Sequence, residues 1–163
     1  MANLTVSKTG DYFEREGKRF FYLADNVWPA FAKASFPDWE EYLEYRKMQG
    51  FNVLHLWLQN RSHFGNCLAP FRFDAQGNPD YYTMEDEYFE RARKILAMAF
   101  EKGFIPAISL LWADKVKGTW LANQFKPEHV IPLDAVQQYA EYVAKAFAEF
   151  EPIYMISGDA NFD

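Results

Sequence analysis

The chain has 163 residues, half of them hydrophobic and a quarter charged, which fits one domain with a substantial core and argues against a disordered or low-complexity protein. Its 17 basic and 23 acidic residues give a formal charge of −6 without a basic cluster, so we expect no nucleic-acid partner. No apolar run approaches the roughly 18 residues that cross a membrane, and a single cysteine excludes an internal disulfide.

The amino terminus bears on where the protein works. Residues 1–10 lack the charged and then apolar segments of a signal peptide. We therefore expect a cytoplasmic protein, or a secreted or periplasmic one if a leader has been removed.

The first predicted elements are a β-hairpin and a strand. Two arms, residues 11–15 and 19–25, flank a turn in which Gly17 supplies the positive φ that a tight turn needs. The second arm is continuously apolar over residues 20–24, which predicts a strand covered on both faces.

The next predicted element is a helix over residues 35–49. Ser35 or Asp38 can cap its amino end, and Gly50 stands where a left-handed carboxyl-terminal cap belongs. Three apolar side chains share its predicted buried face: Phe36, Trp39 and Leu43.

Two further helices are predicted from their apolar periodicity. The first starts near Thr83, whose hydroxyl pairs with Asp86 in a variant of the capping box, and its predicted buried face is Phe89, Ala92, Leu96 and Ala99. The second starts at Pro132, and its predicted buried face is Val136, Ala140, Val143 and Phe147.

Apolar strands at residues 51–58, 104–112 and 152–157 alternate with these helices, which predicts parallel strands joined by right-handed crossovers. Two architectures fit this α/β pattern: an open doubly wound sheet and the (β/α)8, or TIM, barrel. The first strand runs into residues 24–28 (ADNVW) without a glycine-rich phosphate loop. Nucleotide binding is therefore not favoured, and no cofactor is expected.

Polar and aromatic side chains lie at the carboxyl end of each predicted strand, where ligands bind in both architectures. Carboxylates for acid–base chemistry, amides for hydroxyl groups and flat indole faces together favour a carbohydrate site. The candidates are Asp25, Asn26 and Trp28 on the first strand, His55, Trp57 and Gln59 on the second, Trp112 and Asp114 on the third, and Asp159 and Asn161 on the fourth.

Several candidates also have a purely structural interpretation. The tryptophans can belong to the core, Asp114 can cap a following helix, and His55 lies inside an apolar strand, where core histidines are common. The histidines and the cysteine lack metal-ligand spacing, so no metal is expected. The chain also has no G-x-S-x-G motif for a serine nucleophile.

Several segments resemble the apiosidase-like glycoside hydrolases, which are (β/α)8-barrel enzymes related to the large cellulase-type barrel clan. The resemblance spans almost the whole chain and rests on residues 17–28 (GKRFFYLADNVW), Tyr42-Leu43, Arg46, residues 49–53 (QGFNV) and Ser157-Gly158-Asp159. The chain departs from the family pattern at Arg19, Asn26 and Ser157, where Pro, Thr and Gly are expected.

This resemblance implies a retaining glycosidase with two carboxylates about 5 Å apart. The general acid/base residue of such barrels stands at the end of strand four and corresponds to Asp159. Asp25 corresponds to a carboxylate that positions the substrate or tunes the acid, and the other candidates are expected to bind the substrate. The nucleophile comes from strand seven, so it is not expected in this chain.

A complete barrel takes about 250 residues, whereas the pattern here supplies four strands. We expect residues 1–163 to form a single domain, the N-terminal half of a barrel, with a leading hairpin at 1–19 and strands one to four with three helices at 20–163. The chain alone is then expected to be inactive on a plant-type glycoside. Its expected partners are carbohydrate and either the missing half of the barrel or a second copy that pairs with its open strand edges.

Two other functions fit the same residues. One is a non-catalytic carbohydrate-binding module that uses the tryptophans without a carboxylate pair. The other is a self-associating α/β domain whose open edge is closed by a second copy.

Overall fold

The computed structural model describes residues 4–58, 68–112, 115–119 and 122–157. It opens with an antiparallel sheet of β1 (Leu4–Val6), β2 (Phe13–Arg15) and β3 (Lys18–Phe20), paired in that order. Glu16 and Gly17 connect β2 to β3 with φ values of 56° and 71°, the left-handed conformation of a type I′ turn. The predicted turn is confirmed, and β1 is a strand that the sequence analysis did not include.

The remaining elements are six strands and four α-helices within the described residues. In chain order they are β4 (Ala24–Asn26), α1 (Ala30–Lys33), α2 (Phe36–Met48), β5 (Val53–Trp57), β6 (Phe71–Phe73), β7 (Pro79–Met84), α3 (Asp86–Glu101), β8 (Ile105–Ser109), α4 (Leu133–Phe147) and β9 (Ile153–Met155). No helix in the described ranges is both long enough and apolar enough to span a membrane.

Four of these strands form a parallel sheet in the order β4-β5-β8-β9. Every pairing within it is parallel, and α2, α3 and α4 each connect one strand to the next. The predicted order and direction are confirmed. The fold is α/β of the TIM (β/α)8-barrel type, and the chain provides about the first four strands.

Successive residues of the parallel strands alternate between two environments. On the outer face, Leu54 and Ile108 pack with the helices in the main hydrophobic core. On the inner face, Val53, Ile105 and Ala107 form a second, smaller cluster. The inner face is the one that a barrel encloses.

The antiparallel sheet lies at the amino end of the parallel strands. Leu4 and Phe20 pack against the inner cluster, which contains the first residues of β5 and β8. Arg15 Nη1 also donates a hydrogen bond to the carbonyl oxygen of Gly103 at 3.4 Å, just before β8. The antiparallel sheet therefore does not cover the carboxyl ends of the parallel strands.

Helix α2 begins and ends as the sequence predicts. Ser35 Oγ accepts a hydrogen bond from the backbone N–H of Asp38 at 3.2 Å, and Gly50 follows the helix with a φ of 85°. Trp39 is buried and donates from Nε1 to the carbonyl oxygen of Ile95 on α3 at 3.0 Å. Phe36 was predicted on the buried face but is 37% exposed, because it is the first residue of the helix and lies at its edge.

The first parallel strand is shorter than predicted. Phe21 is 76% exposed, and regular pairing starts only at Ala24. The reason is the side chain of Asn52, whose Nδ2 donates to the Phe21 carbonyl oxygen at 2.7 Å and whose Oδ1 accepts from Leu23 N–H at 3.0 Å. These side-chain bonds act together with the backbone N–H groups of Asn52 and Val53, which donate to the Leu23 carbonyl oxygen, to satisfy this segment before regular pairing begins.

Helix α3 starts at Asp86, so the predicted start near Thr83 is wrong. Thr83 belongs to β7, and its hydroxyl donates to Asp80 Oδ2 at 2.6 Å rather than pairing with Asp86. Strands β6 and β7 form an antiparallel hairpin between the predicted strand at 51–58 and helix α3, where the sequence pattern predicts no strand.

The buried face of α4 is rotated from the predicted one. Its buried residues are Ala135, Tyr139, Val143 and Phe147, a row with a spacing of four. The predicted row shared only Val143 and Phe147, and its other two members, Val136 and Ala140, lie beside the buried row and are half-buried. Tyr139 accounts for the difference, because its ring packs in the core against Phe71.

We expect Leu43→Ala to lower the free energy of unfolding by about 2–5 kcal/mol, because Leu43 is 0% exposed and its loss leaves a cavity between α2 and its neighbours. Urea denaturation followed by circular dichroism measures the change. Met48→Ala is the control on the same helix, since Met48 is 83% exposed, and it is expected to change stability by less than about 0.5 kcal/mol. Equal losses in the two variants would contradict the packing described for α2.

Candidate functional site

The two polar residues that end β4 face opposite sides of the parallel sheet. Asp25 is in register with Leu54, which packs with the helices, whereas Asn26 is in register with His55. Because side chains alternate along a strand, Asn26 and His55 face the barrel interior and Asp25 faces α2. The sequence analysis had placed all three in one site.

Two residues of α2 hold Asp25. Tyr42 Oη donates a hydrogen bond to Asp25 Oδ2 at 2.6 Å, and Arg46 Nε lies 2.5 Å from the same oxygen in an ion pair. Burial, and then the hydrogen bond to Asp25, raise the pKa of the Tyr42 hydroxyl far above its ordinary value, so this group stays protonated and continues to donate. The carboxylate of Asp25 is thus engaged in fixing α2 against β4.

His55 lies at the centre of a hydrogen-bonded row on the inner face. Its Nε2 is 2.7 Å from Tyr22 Oη, and its Nδ1 is 2.9 Å from Asn26 Oδ1. Burial lowers the pKa of the imidazole below its ordinary value of 6.5, against the opposing effect of the Asp25 charge. His55 is therefore neutral at pH 7.

Tyr22 was not among the sequence candidates. The signal that could have found it is its spacing of two and four residues from Ala24 and Asn26, which places all three on one face of an extended segment. Its ring also packs against that of His55, with centroids 5.8 Å apart. Burial raises the pKa of its hydroxyl above the ordinary value. The hydroxyl of Tyr22 is therefore protonated at neutral pH and can donate a hydrogen bond.

Three tryptophans meet at the carboxyl end of the parallel strands. Trp57 is the last residue of β5, and Trp28 and Trp112 follow β4 and β8. Ring centroids are 4.7 Å apart between Trp57 and Trp112, 5.5 Å between Trp28 and Trp112, and 6.2 Å between Trp28 and Trp57. Trp57 is 2% exposed, whereas Trp28 is 39% exposed. Trp57 is therefore the buried member of the cluster, and Trp28 exposes part of its indole surface.

Four other candidates, Gln59, Asp114, Asp159 and Asn161, lie outside the described residues. Their presence at this end of the sheet stays a prediction from the sequence. Within the described part of the chain, no group of three or more histidine, cysteine, aspartate or glutamate side chains is arranged to hold a metal ion.

We expect Asp25→Asn to lower the free energy of unfolding by about 1–3 kcal/mol, because it removes the charged partner of Arg46 and weakens the acceptor of the Tyr42 hydroxyl. Urea denaturation at pH 7 measures the loss. Asp11→Asn makes the same chemical change at an exposed position and is expected to be neutral within about 0.5 kcal/mol. An Asp25→Asn protein as stable as the control would contradict the role assigned to this carboxylate.

Solved structures with a similar fold are glycoside hydrolases. A structure described as a glycoside hydrolase matches 99% of this chain with a TM-score of 0.73 and 22% identity. A glycoside hydrolase family 5 protein from Bacteroides vulgatus matches 99% with a TM-score of 0.74 and 19% identity. An endo-1,4-beta-mannanase from Rhizomucor miehei matches 88% with a TM-score of 0.63 and 15% identity.

The chain is shorter than these proteins. It covers 35%, 34% and 41% of their respective lengths, so it corresponds to a portion of each. At these identities the likeness establishes the fold. No curated protein sequence matches this chain.

The family assignment rests on a sequence comparison over nearly the full length. The model of the family described as "Apiosidase-like, catalytic domain" matches residues 7–163. This range includes all of the parallel sheet, the tryptophan cluster and the row of Tyr22, His55 and Asn26. The chain therefore belongs to the family of apiosidase-like catalytic domains.

Proposed function

We propose that this chain supplies the amino-terminal part of the active site of a retaining glycoside hydrolase that acts on a plant-type glycoside. The observation that carries the proposal is the exposed indole of Trp28, backed by Trp57 and Trp112 at the carboxyl ends of the strands. Ligands of barrel enzymes bind at this end. Membership of the apiosidase-like family supports a glycoside as that ligand.

The tryptophan cluster and the amide of Asn26 match the apolar face and the hydroxyl groups of a sugar. The C–H face of a sugar ring packs on an exposed indole, while its hydroxyl groups need directed polar partners. Trp28 offers the apolar face, and Asn26, two residues earlier on the inner face, offers an amide. Because Trp57 is buried, we assign direct sugar contact to Trp28 rather than to Trp57.

Asp159 is the proposed general acid/base. It follows Met155 by four residues in the sequence, and Met155 ends β9, the fourth parallel strand, after which the family that the chain resembles carries this group. It donates a proton to the leaving oxygen as a carboxylate nucleophile attacks the anomeric carbon, and then takes a proton from the water that hydrolyses the glycosyl-enzyme. The nucleophile is proposed to come from a strand outside these 163 residues.

The proposed enzyme needs further strands beside the four described here. Strands β4 and β9 are the two edges of the parallel sheet, and an unpaired edge favours association with other strands. We propose that further strand–helix units of a longer protein pair with these edges and close the barrel.

We expect the complete enzyme to hydrolyse aryl glycosides and Asp159→Asn to lower kcat by about 10²- to 10⁴-fold, the usual contribution of general acid/base catalysis. Release of the aryl group in a spectrophotometric assay measures the change. Asp11→Asn is the control for the same substitution at an exposed position. A loss of less than about threefold would remove Asp159 from the role, and sugar binding without turnover would favour a carbohydrate-binding module. The 163 residues alone are expected to show no turnover.

We expect Trp28→Ala to raise KM by on the order of tenfold, because an aromatic contact contributes about 0.5–1.5 kcal/mol beyond its buried area. The folded structure is expected to persist, since Trp28 is 39% exposed, and circular dichroism checks this. Trp28→Phe keeps an aromatic face and is expected to recover part of the loss. An unchanged KM in Trp28→Ala would place the sugar away from the tryptophan cluster.

A further inference from the structure

We infer that His55 is a positioning residue which holds the amide of Asn26 so that its amino group, rather than its carbonyl oxygen, faces the sugar. The inference rests on the proposed function for the identity of the ligand. It assigns Tyr22 the role of selecting the tautomer of His55. Neither Tyr22 nor His55 needs to touch the substrate for this purpose.

The three side chains form a directed chain on one face of the sheet. Asn26 and His55 are in register on β4 and β5, and Tyr22 precedes Asn26 by four residues. The contacts run from Tyr22 Oη to His55 Nε2 at 2.7 Å and from His55 Nδ1 to Asn26 Oδ1 at 2.9 Å. Both distances are those of good hydrogen bonds.

The protons on this chain have one arrangement that satisfies every group. A neutral imidazole carries one N–H, so one ring nitrogen donates and the other accepts. The hydroxyl of Tyr22 has no other acceptor among the described residues, so it donates to Nε2. Nδ1 then carries the proton and donates to the carbonyl oxygen of Asn26. The opposite tautomer would turn the amide of Asn26 over and leave the Tyr22 proton without an acceptor.

Burial supports this arrangement. It lowers the pKa of His55, with Asp25 as the opposing charge on the other face of β4, and so favours the neutral ring at pH 7. Tyr22 remains protonated because burial raises the pKa of its hydroxyl. The donor and the acceptor at Nε2 are therefore both in the required state.

This proton arrangement determines which atom of the Asn26 amide is available to a ligand. With Oδ1 occupied by His55, the Nδ2 amino group has no hydrogen-bond partner within the described part of the chain. Asn26 is exposed and is the last residue of β4, next to the segment that carries Trp28. The site thus offers an amide donor beside an indole face, and the group that fits it is an oxygen of a sugar, accepting through its lone pair.

The first test reads the tautomer by nitrogen NMR of the protein labelled with ¹⁵N-histidine, with His55→Gln used to assign the ring signals. We expect His55 to carry its proton on Nδ1 at pH 7. Tyr22→Phe, which removes the donor to Nε2, is expected to move the population toward the tautomer protonated on Nε2. Tyr45→Phe is the matched control, because Tyr45 is 57% exposed, and it is expected to leave the spectrum unchanged.

The second test measures the role of the Asn26 amide by the hydrolysis of an aryl glycoside, with each substitution made in the complete enzyme and the substrate chosen as the one that its wild type cleaves best. Asn26→Asp retains the oxygen that accepts from His55 but lacks the amino group, and we expect kcat/KM to fall roughly five- to tenfold, as for the loss of one hydrogen bond. Tyr22→Phe is expected to show a smaller fall, and Tyr45→Phe none. Thermal unfolding by circular dichroism confirms that each variant is folded.

The two tests separate this inference from the proposed function. A His55 ring protonated on Nε2 in the wild type, or a Tyr22→Phe spectrum identical to it, overturns the positioning role. Full activity of Asn26→Asp overturns the donor role. If the complete wild-type enzyme cleaves no glycoside, the proposed function fails, while the ring signals still decide whether Tyr22 and His55 set the orientation of the Asn26 amide.

Discussion

The two-residue alternation of the parallel strands is the constraint on which the rest of this structure depends. It sends Asp25 to the helical layer and Asn26, the next residue, to the barrel interior. A shift of one residue in the pairing of β4 with β5 would exchange the two and place a carboxylate beside His55. The chemistry of the inner face therefore depends on the register of a strand only three residues long.

Contacts on the outer face of the sheet stabilise that register. Asp25 is bound by Tyr42 and Arg46, and the guanidinium carbon of Arg46 lies 5.2 Å from the ring centroids of both Tyr42 and Phe51. Moving β4 would separate a partly buried carboxylate from its cation, which is costly because each charge would lose its partner without regaining full hydration. The position of Asn26 and Trp28 on the inner side is thus tied to an ion pair on the outer face of the sheet.

The sequence predicted the architecture well because alternation of apolar strands with one-faced helices is a property of long segments. It also brought Trp28, Trp57 and Trp112 together, since the carboxyl ends of parallel strands share one edge. It could not separate Asp25 from Asn26, because residues 20–24 are apolar throughout and hide the two-residue period. The hairpin of β6 and β7 was missed for another reason: β6 has only three residues, and the polar turn at residues 74–78 (DAQGN) interrupts the apolar pattern.

The inner face also explains why four strands need others to make the proposed active site. One residue from each strand pairs across this face. The pair on β4 and β5 is polar, Asn26 and His55, and the pair on β8 and β9 is apolar, Ala107 and Ile153. Strand β9, which precedes the proposed acid Asp159 in the sequence, lies three strand spacings from β4, or roughly 14 Å along a flat sheet at about 4.8 Å per spacing. A sugar ring is smaller than this separation. Closure into a barrel curves the sheet and shortens the direct distance across its mouth, so under the proposed function the strands that complete the barrel would bring the end of β9 closer to Trp28 and Asn26.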